Sequence, residues 1–268
     1  MIDGRTRHAL ASATTRRGTG LHSGAACAVR MVPAPPGHGR VFHVAGVAIP
    51  AHAAHVIDTR ACTTLGRGAR RVRVVEHLLA ALEAHGVEDV ALEVEGDEVP
   101  ALDGSASGWC VALRDAGLVP SGPRNVRTLR APVRVAQGDS WATAEPADRL
   151  HLTVSVDFPH PAIGRAAWSG DTWGPLLDAR TFGFLADRDA LRAAGLARGV
   201  TPDNAVVFDD TGPMHGALRG DDEPVRHKAL DLLGDLALLG APLQARVRVH
   251  RGGHTLHRAL LDAVEDLA

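Results

Sequence analysis

The sequence predicts an α+β fold made of two units of the same topology, each a small sheet packed on helices. Three observations carry that expectation. Runs such as "EDVALEVEG" and "LHLTVSVDF" alternate apolar and polar residues with period two, as half-buried strands do. Other runs, "VEHLLAALEAHG" and "PVRHKALDLLGDLALLG", are apolar over helical lengths and end on Gly. Both halves then repeat one order: helix, Gly stop, alternating strand, Gly-containing turn, helix. A Pro/Gly-rich piece between them, residues 118–135, reads as the linker, with units at 1–123 and 124–268.

In the first half, "TGLHSGAACAVRMVPAP" and "GRVFHVAGVAIPA" read as short strands with turns. "VEHLLAALEAHG" is a helix closed by Gly86. "SASGWCVALRDAG" is a second helix, with Ser105 or Ser107 as its cap and Gly117 as its stop. In the second half "DRDALRAAG" is a short helix and "NAVVFDD" a short strand. Pro224 opens the next helix and Gly240 ends it. "LQARVRVHRGG" is a strand and "HTLHRALLDAVEDLA" the last helix.

Composition narrows the function classes. The 268 residues are 45% apolar, enough for a sizeable core. A formal net charge of −2 leaves no basic field for a nucleic-acid backbone. No apolar run approaches a membrane span, and "MIDGRTRHALASATTRR" lacks the apolar core of a signal peptide, so a cytoplasmic protein is expected. Monomer is the default expectation. Three widely spaced cysteines give no CxxC pair, so a metal here would be held by His and carboxylates. Of the 29 Lys plus Arg, only Lys228 is a lysine.

Two stretches draw attention to such a site. His227 and Asp231, spaced i and i+4, share one helix face, and Asp235 follows one turn on. Taken alone, this is better explained by a solvated polar face with His and Asp loosely paired. The first half, however, offers Glu76 and His77 at a helix start. His77 with His227 and Asp231 makes two imidazoles and one carboxylate, a zinc set that leaves one position open for water. Ferrous iron accepts the same set. Glu76 could then act as general base. The HExxH spacing of ordinary zinc proteases is absent. In "HRGGHTLH", which offers His250, His254 and His257, His254 is the candidate acid, oriented by Asp235.

At this point the chain resembles the UDP-3-O-acyl-N-acetylglucosamine deacetylases, zinc amidases of lipid A synthesis. The resemblance runs through "GTGLHSG", "DTRACTTLG", "VEHLLAAL", "EVPALDGSASGW", "VDFPHPAI", "ARTFGF", "NAVVFDD", "RHKALDLLGDLALLG" and "GGHTLH". It implies two α+β domains of like topology with the active site between them. It also implies zinc on His77, His227 and Asp231, Glu76 as base, and His254 as acid supported by Asp235. Thr181 would hydrogen-bond the oxyanion and Lys228 would face the polar part of a UDP-linked acylated glucosamine. Phe182, Cys62 and Gly199 would lie against substrate, and residues 193–204 would form the acyl groove.

Two of the chain's departures from the family pattern lie at positions that bear on substrate. "RGVT" (198–201) stands where many members have a Gly-Gly-Ser loop, and Ser140 of "GDSW" stands where some carry a lysine toward the diphosphate. These departures keep open a related zinc amidase acting on another N-acetylated sugar, and behind it a non-catalytic homologue.

Overall fold

The computed structural model of the protein describes residues 6–267. The N-terminal residues 1–5 of the leader reading and Ala268 of the last predicted helix lie outside that range. The first half contains β1 (Thr6–Leu10), β2 (Thr14–Thr19), β3 (Ala26–Pro33), β4 (Arg40–Val44), β5 (Val47–Pro50), β6 (Val56–Asp58), β7 (Thr64–Arg67) and β8 (Arg70–Arg73). Helix α1 (Glu76–Ala84), β9 (Val87–Glu95), α2 (Ser107–Ala116) and β10 (Leu118–Pro123) follow. The second half contains β11 (Arg127–Thr128), β12 (Val133–Gln137), β13 (Ser140–Pro146), β14 (His151–Asp157), β15 (Arg165–Gly170), α3 (Gly174–Leu177), β16 (Phe182–Phe184) and α4 (Arg188–Ala193). It ends with β17 (Val206–Phe208), α5 (Glu223–Leu236), β18 (Leu243–His250) and α6 (His254–Glu265).

Two mixed sheets dominate. In the first, β9 pairs antiparallel with β3 and parallel with β4 and β1. In the second, β18 pairs antiparallel with β13 and parallel with β14. The alternation in β14 and β18 turns every second side chain into the core, as period-two sequences require. Helices α1 and α5 pack on each other, α1 also against β9 and α5 also against β14, so they lie at the heart of one continuous apolar core. Gly234 permits their close approach: a Cβ there would lie 2.0 Å from the carbonyl oxygen of Glu76.

The structure changes several local readings. Residues 118–135 are not a free linker. β10 pairs antiparallel with β1, β11 pairs with β18, and β12 also falls within the stretch. Pro120 and Pro123 had suggested loop, yet β10 is an edge strand, where a missing N–H is tolerated. Between β10 and β11, Arg124 is held by Glu83 and Glu88. Neither predicted serine occupies the cap position of α2, which Ala106 takes. Ser105 Oγ instead accepts the Ser107 N–H at 3.1 Å. The solvated-face reading of α5 fails, because His227, Asp231 and Asp235 are only 4%, 2% and 2% exposed.

Candidate metal centre and active site

Helix α1 starts abruptly. Val74 holds φ at +59°, an outlier for a β-branched residue, and Glu76 and His77 follow in the first turn. Adjacent helical residues point in different directions. His77 therefore reaches α5 while Glu76 reaches the start of α6. His77 Nε2 lies 3.2 Å from His227 Nε2 and 3.3 Å from Asp231 Oδ1, and His227 Nε2 lies 3.4 Å from that same oxygen. Tetrahedral ligands at about 2.0–2.2 Å from one ion stand about 3.3–3.6 Å apart, so the triangle is close to the size a metal requires.

Its charge state also fits. Burial holds His227 well below the usual imidazole range, against the pull of Asp231. Burial opposes the ionisation of Asp231, but its neighbours, among them the Lys228 ammonium and a hydrogen bond with His77, hold it well below the ordinary carboxylate range. Neutral imidazole and ionised carboxylate are the forms that bind metal. His227 Nδ1 is buried without a hydrogen-bond partner. Lys228 Nζ donates to Asp231 Oδ2 at 2.9 Å and sits 5.5 Å over the Phe182 ring, whose edge also meets His227.

Beside the triangle, Glu76 and His254 face each other, with His254 Nε2 3.7 Å from Glu76 Oε1. Burial lifts the Glu76 carboxyl to about 6, although His254 and His77 pull it down. Burial disfavours a charged His254, but Asp235 and Glu76 overcome it and raise the imidazole to about 10. Asp235 is itself buried, yet His254 and His257 hold it down at about 2. Both His254 Nδ1 and His257 Nδ1 lie 2.7 Å from Asp235 Oδ2. That separation suits a hydrogen bond and is too short for two ligands of one ion, so this second His-His-Asp group reads as a proton-holding cluster.

These groups open on a cavity of about 210 Å³, whose lining includes Glu76, His77, His227, Asp231, His254, Lys228, Thr181 and Phe182. Thr181 is fixed by its backbone: its N–H donates to Gly104 O at 2.7 Å, and its carbonyl accepts from Val206 N–H at 2.8 Å. The structure thus gathers every predicted ligand, base, acid and oxyanion residue around one space.

Two predicted substrate residues are not brought there. Cys62 is buried beside Thr64 and is not part of the cavity lining, and burial pushes its thiol up to about 12. Gly199 packs on backbone instead: a Cβ there would meet Gly20 O at 2.1 Å, and its N–H donates to Leu21 O. Lys228, expected to face the polar part of the substrate, lines the cavity and is also paired with Asp231. A second cavity of about 280 Å³ lies along Ser140, Phe158, Arg251 and Gly252, with Ser140 Oγ donating to Arg251 O at 2.8 Å.

Sequence reasoning passed over Thr63, and it left His257 without a role. His257 stands three residues after His254, a spacing that puts both on one face of α6 and was visible in "HTLH". Thr63 carries no spacing signal. It follows Ala61, held at φ +63°, in the loop before β7.

A buried triangle of three ligand atoms, open to a cavity and flanked by a carboxylate and a carboxylate-supported imidazole, is the equipment of a metal-dependent hydrolase. The chain belongs to the family described as UDP-3-O-acyl N-acetylglycosamine deacetylase, whose model matches residues 7–266. It is 42% identical to a UDP-3-O-acyl-N-acetylglucosamine deacetylase of Thermosynechococcus vestitus, across 97% of this chain and 94% of that protein. It is 40% identical to the protein of the same name in Oleidesulfovibrio alaskensis, across 93% and 85%. Against the one in Myxococcus xanthus it is 39% identical, across 95% and 85%.

Proposed function

We propose that this protein hydrolyses the N-acetyl group of UDP-3-O-acyl-N-acetylglucosamine, releasing acetate at the committed step of lipid A biosynthesis. The observation that carries the reading is the 3.2–3.4 Å triangle of His77, His227 and Asp231 beside the Glu76–His254 pair, in a chain of this family. Zinc is the ion we assign to the triangle, and ferrous iron suits the same donors. When bound there, such an ion polarises the acetamide carbonyl and makes water more acidic.

The chain's own groups do the rest. Glu76 takes the proton of the attacking water. The Thr181 hydroxyl donates to the oxyanion as it develops. His254, held protonated by Asp235, gives its proton to the departing nitrogen, and acetate is freed. Lys228 steadies Asp231 and adds positive charge at the cavity wall. The half-buried ring of Phe182 offers an apolar face to the sugar. Arg251 lies along the second cavity beside Ser140, and its guanidinium supplies the cation toward the diphosphate that Ser140 cannot. Residues 193–204 form the acyl passage. Residues 1–123 and 124–268 are the two domains, and the protein works as a cytoplasmic monomer. Among the described residues no helix is long and apolar enough to cross a membrane.

Acetate release from UDP-3-O-acyl-N-acetylglucosamine of several acyl lengths, before and after chelation, tests the reading. Chelator-sensitive release at one or more lengths is expected. No release at any length would favour a different N-acetylated sugar, the alternative that Ser140 and Val200 keep in view.

A further inference from the structure

Thr63 is buried, yet its polar atoms reach both halves of the acid–base machinery. Its backbone N–H donates to Glu76 Oε2 at 3.2 Å. Its hydroxyl donates to Asp235 Oδ1 at 2.6 Å, and the hydroxyl oxygen, Thr63 Oγ1, stands 3.2 Å from His254 Nδ1. Asp235 Oδ2 already accepts from His254 and His257, so Thr63 is the donor that fixes its other oxygen. With both carboxylate oxygens engaged, the plane of Asp235 cannot turn without losing a charge-assisted hydrogen bond. The hydroxyl proton is committed to Asp235, which leaves the Thr63 lone pairs toward the His254 Nδ1–H. Thr63 does not line the cavity, and its hydrogen-bond partners are Glu76, Asp235 and His254 rather than the metal triangle.

We propose that Thr63 is a positioning residue that couples the base Glu76 to the acid His254. It clamps one carboxylate through its backbone and the other through its side chain. The two groups it joins must face the same substrate nitrogen and water within a few tenths of an ångström, and one loop residue sets both. The strained backbone at Ala61, two residues earlier, fits a loop held in place for this purpose. The proposal rests on the acid–base roles given above.

Thr63→Val keeps the shape and the backbone N–H and removes the hydroxyl. A hydrogen bond to a charged buried group carries enough energy that kcat should fall about tenfold to a hundredfold, with KM within about twofold. Thr63→Ser restores the hydroxyl and should recover most of kcat. Metal content, by elemental analysis, should stay at the wild-type value in both. Thr63→Ala serves as a second hydroxyl-free variant should the valine pack badly.

Wild-type protein runs in the same assay. If it releases no acetate, the deacetylase reading fails. If it does, and folded Thr63→Val or Thr63→Ala turns over at the wild-type kcat, the Thr63 proposal is overturned. A Thr63→Ser enzyme as slow as the hydroxyl-free variants overturns it too, since the lost methyl would then account for the effect.

Discussion

Replacing Gly234 by alanine strikes at the contact that brings the two halves of the metal site together. A Cβ at residue 234 would stand 2.0 Å from the Glu76 carbonyl oxygen and 3.0 Å from Glu76 Cα, where ordinary contact begins at 3.4 Å. The shortfall of about 1.4 Å is against backbone, so no side-chain rotation relieves it and the helices must part. Two effects on stability oppose each other. Alanine gains about 1 kcal/mol in helix propensity, while overpacking costs about 1–3 kcal/mol. The net loss is up to about 2 kcal/mol, a shift of several degrees in Tm for a chain of this size.

The metal site suffers more. His77 rides on α1 while His227 and Asp231 ride on α5, and their ligand atoms sit 3.2–3.4 Å apart. A metal site tolerates about 0.2 Å in its bond lengths, and a displacement near 1 Å can lower turnover about a hundredfold. Gly234→Ala should therefore fold, melt a few degrees early, retain metal poorly after desalting and lose about a hundredfold in kcat. Elemental analysis, a thermal melt and an acetate-release assay on one preparation read all three. A folded Gly234→Ala with full metal and wild-type turnover would refute the claim that this helix contact sets the site.

Other perturbations separate the remaining roles. Glu76→Ala should keep its metal and lose at least about a hundredfold in turnover, since a general base contributes about 10²–10⁴-fold; unchanged turnover excludes it as the base. In the wild-type enzyme, activity needs Glu76 deprotonated and His254 protonated, so kcat/KM should rise with pH through about 6 and fall through about 10. Asp235→Asn removes the main charge that raises His254, so the falling limb should move toward neutral pH; a limb that stays in place contradicts that coupling. Away from the site, Glu83 is buried between Arg40 and Arg124, at 2.9 and 2.7 Å. Burial opposes its ionisation, but the two arginines win and depress its carboxyl. Its folded pKa is the lower one, so its contribution is complete above the unfolded value of about 4.5 and fades as pH falls through the folded value. Glu83→Gln should cost about 3–5 kcal/mol at pH 7, with the gap in Tm closing only in acid.

Much of the fold was legible because its strongest patterns are local. The period-two runs became β9, β14 and β18, and the Gly-terminated apolar runs became α1 and α5. The short β6–β7–β8 meander and the β12–β13 hairpin carry weaker patterns, and β10 was obscured by prolines that an edge strand can accommodate. Of the candidate site, the helical spacing of His227, Asp231 and Asp235 was readable, and so was the Glu76–His77 pair. Their convergence depends on packing between α1 and α5, which no local pattern encodes. Cys62 and Gly199 illustrate the limit: each adjoins a motif of the site, yet one is buried beside Thr64 and the other packs against the Gly20 backbone. Thr63 shows the reverse, a loop residue with no periodic signature that hydrogen-bonds to both catalytic carboxylates.

The decisive measurement pairs metal content with acetate release in wild-type protein and His77→Ala, using UDP-3-O-acyl-N-acetylglucosamine. One metal per chain in the wild type is expected, with turnover abolished by chelation and restored by zinc, and with both metal and turnover lost in His77→Ala. Full metal occupancy in His77→Ala, or undiminished acetate release from thoroughly chelated wild-type protein, would contradict a catalytic metal held jointly by α1 and α5.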